Sequence, residues 1–194
     1  MSNIELVIDA DNKPANLPSP DVIIQQCRRA RTRTSATYTN NSGVRLVDES
    51  CGGAVCAWVK FGRSVTMSEA RTQHFVTQVL NDKASLTVRS PYVYLAFSCN
   101  GFGYIVMEYI DGSICDDSDA RLVADAVESL ITIQNPTAEP GPVGGGPIVH
   151  RFFMEWQSPV TYKSVDLLEK HLNGVSVPLP SSRPVPLAPW LVSR

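Results

Sequence analysis

The chain has 194 residues, 43% of them apolar and 19% charged, with a formal net charge of −2. That length buries one good core, or one domain with a tail, and the near-neutral charge gives no global attraction to nucleic acid or to an acidic membrane. No apolar run approaches the roughly 18–20 residues that a spanning helix needs.

The start, Met1-Ser2-Asn3-Ile4-Glu5, lacks the basic residues and apolar stretch of a signal peptide. Five scattered cysteines, an odd count, read as reduced thiols rather than a disulfide framework. The expectation is a cytoplasmic protein with no membrane partner.

Residues 1–33 read as an N-terminal arm. Pro14, Pro18 and Pro20 among polar residues predict loose order over residues 1–20. Asp21 is placed to cap a short helix, Val22–Cys27, and the basic run Arg28-Arg29-Ala30-Arg31-Thr32-Arg33 follows it. Clustered arginines pair with phosphates. No aromatic residue interleaves this run to stack a base, so a solvated face is the favoured reading and a nucleic-acid contact the weaker one.

Residues 34–112 carry strand signals. Thr34–Thr39 and Val44–Val47 flank Asn40-Asn41-Ser42-Gly43, a hairpin signal because Asn and Gly tolerate positive φ. A second turn, Ser50-Cys51-Gly52-Gly53, leads into Ala54–Phe61, which is apolar until Lys60, as a buried central strand should be. Thr66-Met67-Ser68-Glu69 matches a capping box and predicts a helix with Phe75, Val76, Val79 and Leu80 on one side, closed by Asn81-Asp82. Val88–Phe97 and Gly103–Tyr109 are two further strands joined at Asn100-Gly101. The order predicts an α+β protein: a small antiparallel sheet with one helix packed on it.

Residues 113–176 change period. Asp116 is placed to cap a helix carrying Leu122, Val123, Ala126, Val127, Leu130 and Ile131, stopped by Asn135-Pro136. The run Pro140–Pro147 is too rich in Gly and Pro for regular structure. Tyr162 or Ser164 opens a last short helix, Val165–Leu172, closed by Asn173-Gly174. Residues 177–194 form a tail in which positions 178–190 hold five prolines and no acidic residue, predicting an extended or disordered segment.

Lys60 on a buried strand, Glu69 on the next helix and the run Tyr104–Gly112 together resemble the small lobe of protein-kinase-like phosphotransferases, of the aminoglycoside phosphotransferase and choline kinase type. Trp58-Val59-Lys60-Phe61-Gly62, Ser68-Glu69-Ala70-Arg71, Gly141–Pro147 and His150-Arg151-Phe152-Phe153 resemble uncharacterised fungal kinase-like proteins. The likeness covers roughly residues 40–174.

It implies that Lys60 presents its ammonium to the α- and β-phosphates of ATP, held by a carboxylate for which Glu69 is the candidate. It also implies that the backbone of Glu108 and Ile110 bonds the adenine edge, with Met107 walling the pocket. From the residues alone two other readings stand beside these. Lys60 can be a solvent-reaching strand end, and Glu69 can bond back to its own helix's first amide in the capping box.

Other chemistries are excluded or unsupported. The Gly-rich run is no Walker loop, because Gly146 is followed by Pro147 where Lys and Ser/Thr are needed. Cys51, Cys56, His74, His150 and His171 lack a zinc spacing, and no Gly-x-Ser-x-Gly elbow occurs. Phosphotransferases of the resembled type also need a His-x-Asp catalytic motif and a later magnesium-binding Asp. None of the three histidines is followed two places on by Asp, and Asp166 is the last aspartate.

The expectation is therefore a truncated or pseudo-enzyme member: a kinase-like small lobe, then an incomplete helical lobe ending before the catalytic loop. It assigns no catalytic residue, gives magnesium no ligand set, and leaves a protein partner or self-association for exposed surface. The alternative from another class is a non-enzymatic interaction module.

Overall fold

The computed structural model describes residues 3–33, 41–48, 52–82 and 88–175. The expected strand over residues 34–39 and the Pro-rich tail lie outside the described residues. Among the described residues nine main elements follow in order: β1 (Ile4–Asp9), α1 (Pro20–Arg33), β2 (Asn41–Asp48), β3 (Ala54–Gly62), α2 (Met67–Asn81), β4 (Val93–Cys99), β5 (Phe102–Met107), α3 (Ala120–Ile131) and α4 (Val165–Val175). The chain divides into two compact units, one of Met1–Ser85 with Arg89–Ile114 and one of Leu86–Val88 with Cys115–Arg194. Among the described residues no helix is long and apolar enough to cross a membrane.

The first unit is α+β: a five-stranded antiparallel sheet ordered β1-β4-β5-β3-β2. Strand alternation sorts its side chains onto two faces. Ala57, Val59 and Phe61 of β3, Leu95, Phe97 and Cys99 of β4, and Tyr104 and Val106 of β5 pack against Ile23, Ile24 and Cys27 of α1. The intervening Trp58, Val93, Ala96, Ile105 and Met107 pack instead with Ala70 of α2. A bulge between Val93 and Leu95 lets Tyr94 and Leu95 both reach the α1 side without losing the pairing that follows.

The sheet is thus buried on both faces, and two expectations are corrected. The first residues are not a loose arm but β1, paired with β4 from Ile4↔Cys99 to Asp9↔Leu95. No local signal marks that pairing, which joins distant parts of the chain. The helix at Asp21 runs on through the arginine run to Arg33 and forms a second covering layer. Within that run Arg31 lies over the Phe102 ring at 5.3 Å, and Arg63 stands over the same ring at 5.0 Å. Gln26 of α1 donates to the Val47 carbonyl at 3.2 Å and accepts from the Val47 N–H at 3.4 Å, satisfying backbone groups of β2.

The turns follow residue chemistry. Asn100 and Gly101 both have positive φ (51° and 74°), the conformation a two-residue hairpin turn needs. Of the expected turn at Asn40–Gly43, Asn41–Gly43 are instead the beginning of β2, paired Asn41↔Gly62 through Asp48↔Ala54, and Asn40 lies outside the described residues. β4 begins at Val93 and not Val88, after Pro91, whose ring removes the amide a ladder needs.

In α2 the buried positions are Ala70, Thr77 and Leu80, while Phe75, Val76 and Val79 are only half-buried. A polar stripe at four-residue spacing sets this rotation. Gln73 donates to Met107 Sδ at 3.2 Å, Thr77 to the Pro91 carbonyl at 2.9 Å and Asn81 to the Ser90 carbonyl at 3.3 Å.

In the second unit Asp116 heads a 3₁₀ turn through a reciprocal capping box with Asp119, and α3 follows directly. The large apolar side chains of α3 are all exposed, from Leu130 at 41% to Leu122 at 69%, and Ala126 is half-buried. Ser164, not Tyr162, opens α4, accepting from Leu167 N–H at 3.3 Å. Tyr162 is buried with Phe153 and Leu168 in a small core. The helix continues through Asn173-Gly174 to Val175 rather than stopping there.

Two outcomes follow from this packing. A Cβ at Gly103 would lie 2.1 Å from the Val65 carbonyl oxygen, a backbone atom that cannot turn aside. Gly103→Ala should therefore cost about 1–3 kcal/mol in urea unfolding. Burial pushes the Cys27 thiol from its usual 9.0 up to about 12. The neutral thiol is the form the fold favours, so its contribution is full below pH 9 and is lost as pH rises towards 12. Urea midpoints measured from pH 8 to 11 should fall at the alkaline end, and less steeply in Cys27→Ala.

Candidate functional site

The site is built on the α2 face of the sheet. Lys60 alternates with Val59 and Phe61, so it shares its face with Trp58, and it pairs with Ile105 across to β5. α2 brings Glu69 to this lysine. Thr66 caps the helix, its hydroxyl oxygen accepting from the Glu69 N–H at 3.1 Å. The Glu69 carboxylate pairs with Lys60 Nζ. Of the two readings open for Glu69, the lysine pair is the contact made, while Thr66 supplies half of the capping box. Both side chains are about one-third exposed, 34% and 35%, so the pair is solvent-reaching and not a buried charge.

The segment after β5 presents a backbone edge. The Glu108 N–H donates to the Tyr92 carbonyl at 2.8 Å, extending the β4–β5 pairing by one bond. The Glu108 side chain pairs with Arg89 and accepts from the Tyr92 N–H at 3.3 Å. Among the described residues the Glu108 carbonyl and the Ile110 N–H have no hydrogen-bond partner. One acceptor and one donor two residues apart therefore remain for an external group. Burial, and next the negative charge of Glu108, push the Tyr94 hydroxyl above its usual range.

Met107, 9% exposed, joins the cluster on the Lys60 face and lies opposite Trp58 in the ladder. The structure thus brings Lys60 and Glu69 into direct contact and puts Met107 on the same face. Glu108 and Ile110 follow at the end of β5.

Three further contributors have no site role assigned from the sequence. Trp58 is a large ring two residues before Lys60, and strand alternation places it on the lysine's face. Gly43 is matched to it: a Cβ there would come within 2.2 Å of the indole, so the ring lies against the β2 backbone. Arg45, paired with Trp58 in register, stands over the Tyr109 ring at 5.0 Å. An apolar run ending in Lys reads as a core strand, and the signal that would have drawn out Trp58 is the same period of two that marks Lys60.

The second unit contributes no matched catalytic motif. His171 lies on α4 edge-on to Tyr162 at 5.6 Å and to Phe153 at 6.4 Å, so it is an aromatic packing residue. His150 Nδ1 accepts from the Phe152 N–H at 3.1 Å within a tight loop. Cys27, Cys56, Cys99 and Cys115 are free thiols. Comparison with family models, curated proteins and solved structures gives no match.

Because the Lys60–Glu69 pair is solvent-reaching, it contributes only about 0.2–1 kcal/mol to stability. Lys60→Met and Glu69→Gln should each leave the urea midpoint nearly unchanged. A loss above about 3 kcal/mol in either would show instead that the pair is a structural strut.

Proposed function

We propose that this chain is a nucleotide-binding, transfer-incompetent relative of the kinase-like phosphotransferases. The observation that carries the reading is the Lys60–Glu69 ion pair on the sheet face under α2. A carboxylate from a neighbouring helix fixes an ammonium that would otherwise swing on a four-carbon stem. Held there, the ammonium suits the α- and β-phosphates of ATP. The unpaired Glu108 carbonyl and Ile110 N–H suit the adenine edge, and Met107 and Trp58 supply apolar surface beside them.

ATP, when bound, would supply the phosphates that complete the Lys60 site. The chain's own part is to hold and orient them. Among the described residues no three His, Cys, Asp or Glu side chains converge on a point that could hold a metal ion. With no His-x-Asp in the sequence, no residue is assigned to proton transfer and no phosphoryl-transfer step is derived.

A second reading, a protein-interaction module that binds no nucleotide, is favoured by one feature. The stripe Leu122, Val123, Val127, Leu130 and Ile131 of α3 is exposed along its length, and such stripes mark contact surfaces.

A thermal-shift titration with ATP, with and without magnesium, separates the two. Ligand at about a hundred times its dissociation constant adds roughly 2.7 kcal/mol. The nucleotide reading predicts a clear rise in Tm that is lost in Lys60→Ala. No rise at millimolar ATP removes the nucleotide role and leaves the interaction module.

A further inference from the structure

The arginine run of α1 gains in the folded chain what it lacks in the sequence, an aromatic neighbour. Phe102 opens β5 beside the Asn100-Gly101 turn and, with Tyr104, faces α1. Arg31, near the end of α1, lies over the Phe102 ring at 5.3 Å, and Arg63, just past β3, lies over it at 5.0 Å. Two planar guanidiniums from separate parts of the chain are thus braced on one ring. Arg28 stands three residues before Arg31, on the same side of the helix.

Tyr104 adds a hydroxyl to this group. The residue is only 4% exposed and its ring stacks on Phe97 at 4.8 Å. Among the described residues its hydroxyl nevertheless makes no hydrogen bond. Burial pushes that hydroxyl above its usual range, and the charges of Arg28 and Arg31 pull it back, so both guanidiniums lie near it.

Arg28, Arg31 and Arg63 are exposed, and none has a carboxylate partner among the described residues. The last turns of a helix attract cations, which suits Arg28 and Arg31. Arg63 belongs to no helix, so that effect does not bring it here. Three like charges gathered at one ring, with no carboxylate to offset them, suit an external anion.

The kind of anion follows from the ring. A free phosphate or an acidic side chain would use the charges alone. A single-stranded nucleic acid uses both features. Its phosphates accept from guanidinium and phenol donors, and its unstacked bases lie on guanidinium planes that an aromatic ring holds in place. We infer that the surface formed by Arg28, Arg31, Arg63, Phe102 and Tyr104 binds single-stranded nucleic acid. The net charge of −2 adds no general attraction, so the affinity comes from this cluster. The cluster belongs to the α1 face of the sheet and Lys60 to the other, so the inference does not rest on nucleotide binding.

Fluorescence anisotropy of the full chain with a labelled single strand of about ten nucleotides tests it. The logarithm of the affinity should fall with that of salt at a slope of about −2, three cations at about −0.7 each. Arg28→Gln, Arg31→Gln and Arg63→Gln combined should remove binding and leave the urea midpoint close to wild type, since all three side chains are exposed. An abasic strand of the same length and charge should bind at least about fivefold more weakly. Lys60→Ala should bind the base-bearing strand as the wild type does. Equal binding of the abasic and base-bearing strands overturns the proposal, because the surface is then a contact for any polyanion. Binding that survives the triple change, or that is lost in Lys60→Ala, also overturns it, because the strand then lies elsewhere. So does no binding of the strand at about 0.1 mM protein in low salt, whether or not anionic lipid vesicles are captured.

Discussion

A charged residue in a strand covered on both faces constrains everything near it. β3 gives Ala57, Val59 and Phe61 to α1 and turns Trp58 and Lys60 towards α2. An ammonium there has to reach water or a carboxylate, because an isolated charge cannot be left in an apolar layer. The start of α2 meets that need with Glu69, and Thr66 fixes where the helix starts. The polar stripe Gln73, Thr77 and Asn81 then fixes the helix's rotation against β5 and the lead-in to β4. The position of the Lys60–Glu69 pair is thus set by a cap, a stripe and a strand period acting together.

What could be read from the sequence was local. The run Ala54–Phe61, the Thr66 cap and the Asn100-Gly101 turn each lie within a few residues of the structure they specify, and each is present. Glu69 was ambiguous because a capping box and an ion pair ask for the same residue type at the same place. Only the distance across to β3 decides which contact its carboxylate makes. The misplacements were non-local. β1 is an edge strand whose partner is β4, far along the chain, and the prolines that follow Asp9 masked it. For α1 the sequence predicts a short helix, Val22–Cys27, followed by a solvated arginine run. Its buried residues Ile23, Ile24 and Cys27 are spaced to lie under the far face of the sheet, and that face was not anticipated.

The candidate site was legible in its named residues and less so in its setting. Lys60 and Glu69 meet, and Met107 lies on their face. The role of Glu108 is finer than expected: its amide and side chain are spent on Tyr92 and Arg89, and only its carbonyl is left over. Trp58, named within the Trp58–Gly62 motif, has no site role readable from the sequence because a tryptophan in an apolar run is ordinarily core. Here the indole is accommodated by a glycine, Gly43, on the neighbouring strand. The second unit follows different physics. Among the described residues its small core around Phe153, Tyr162 and Leu168 leaves most large side chains exposed.

The proposed nucleotide would lie between the Lys60 ammonium on the α2 face of the sheet and the backbone groups of Glu108 and Ile110 just beyond β5. Backbone amide spectra of ¹⁵N-labelled protein, titrated first with adenosine and then with ATP, test this placement most directly. Adenosine is expected to move the Ile110 amide signal, and ATP to move in addition the signals around Lys60 and Glu69. Signals at Ile110, Lys60 and Glu69 that stay fixed at millimolar ATP, in a protein whose spectrum is otherwise folded, would contradict it.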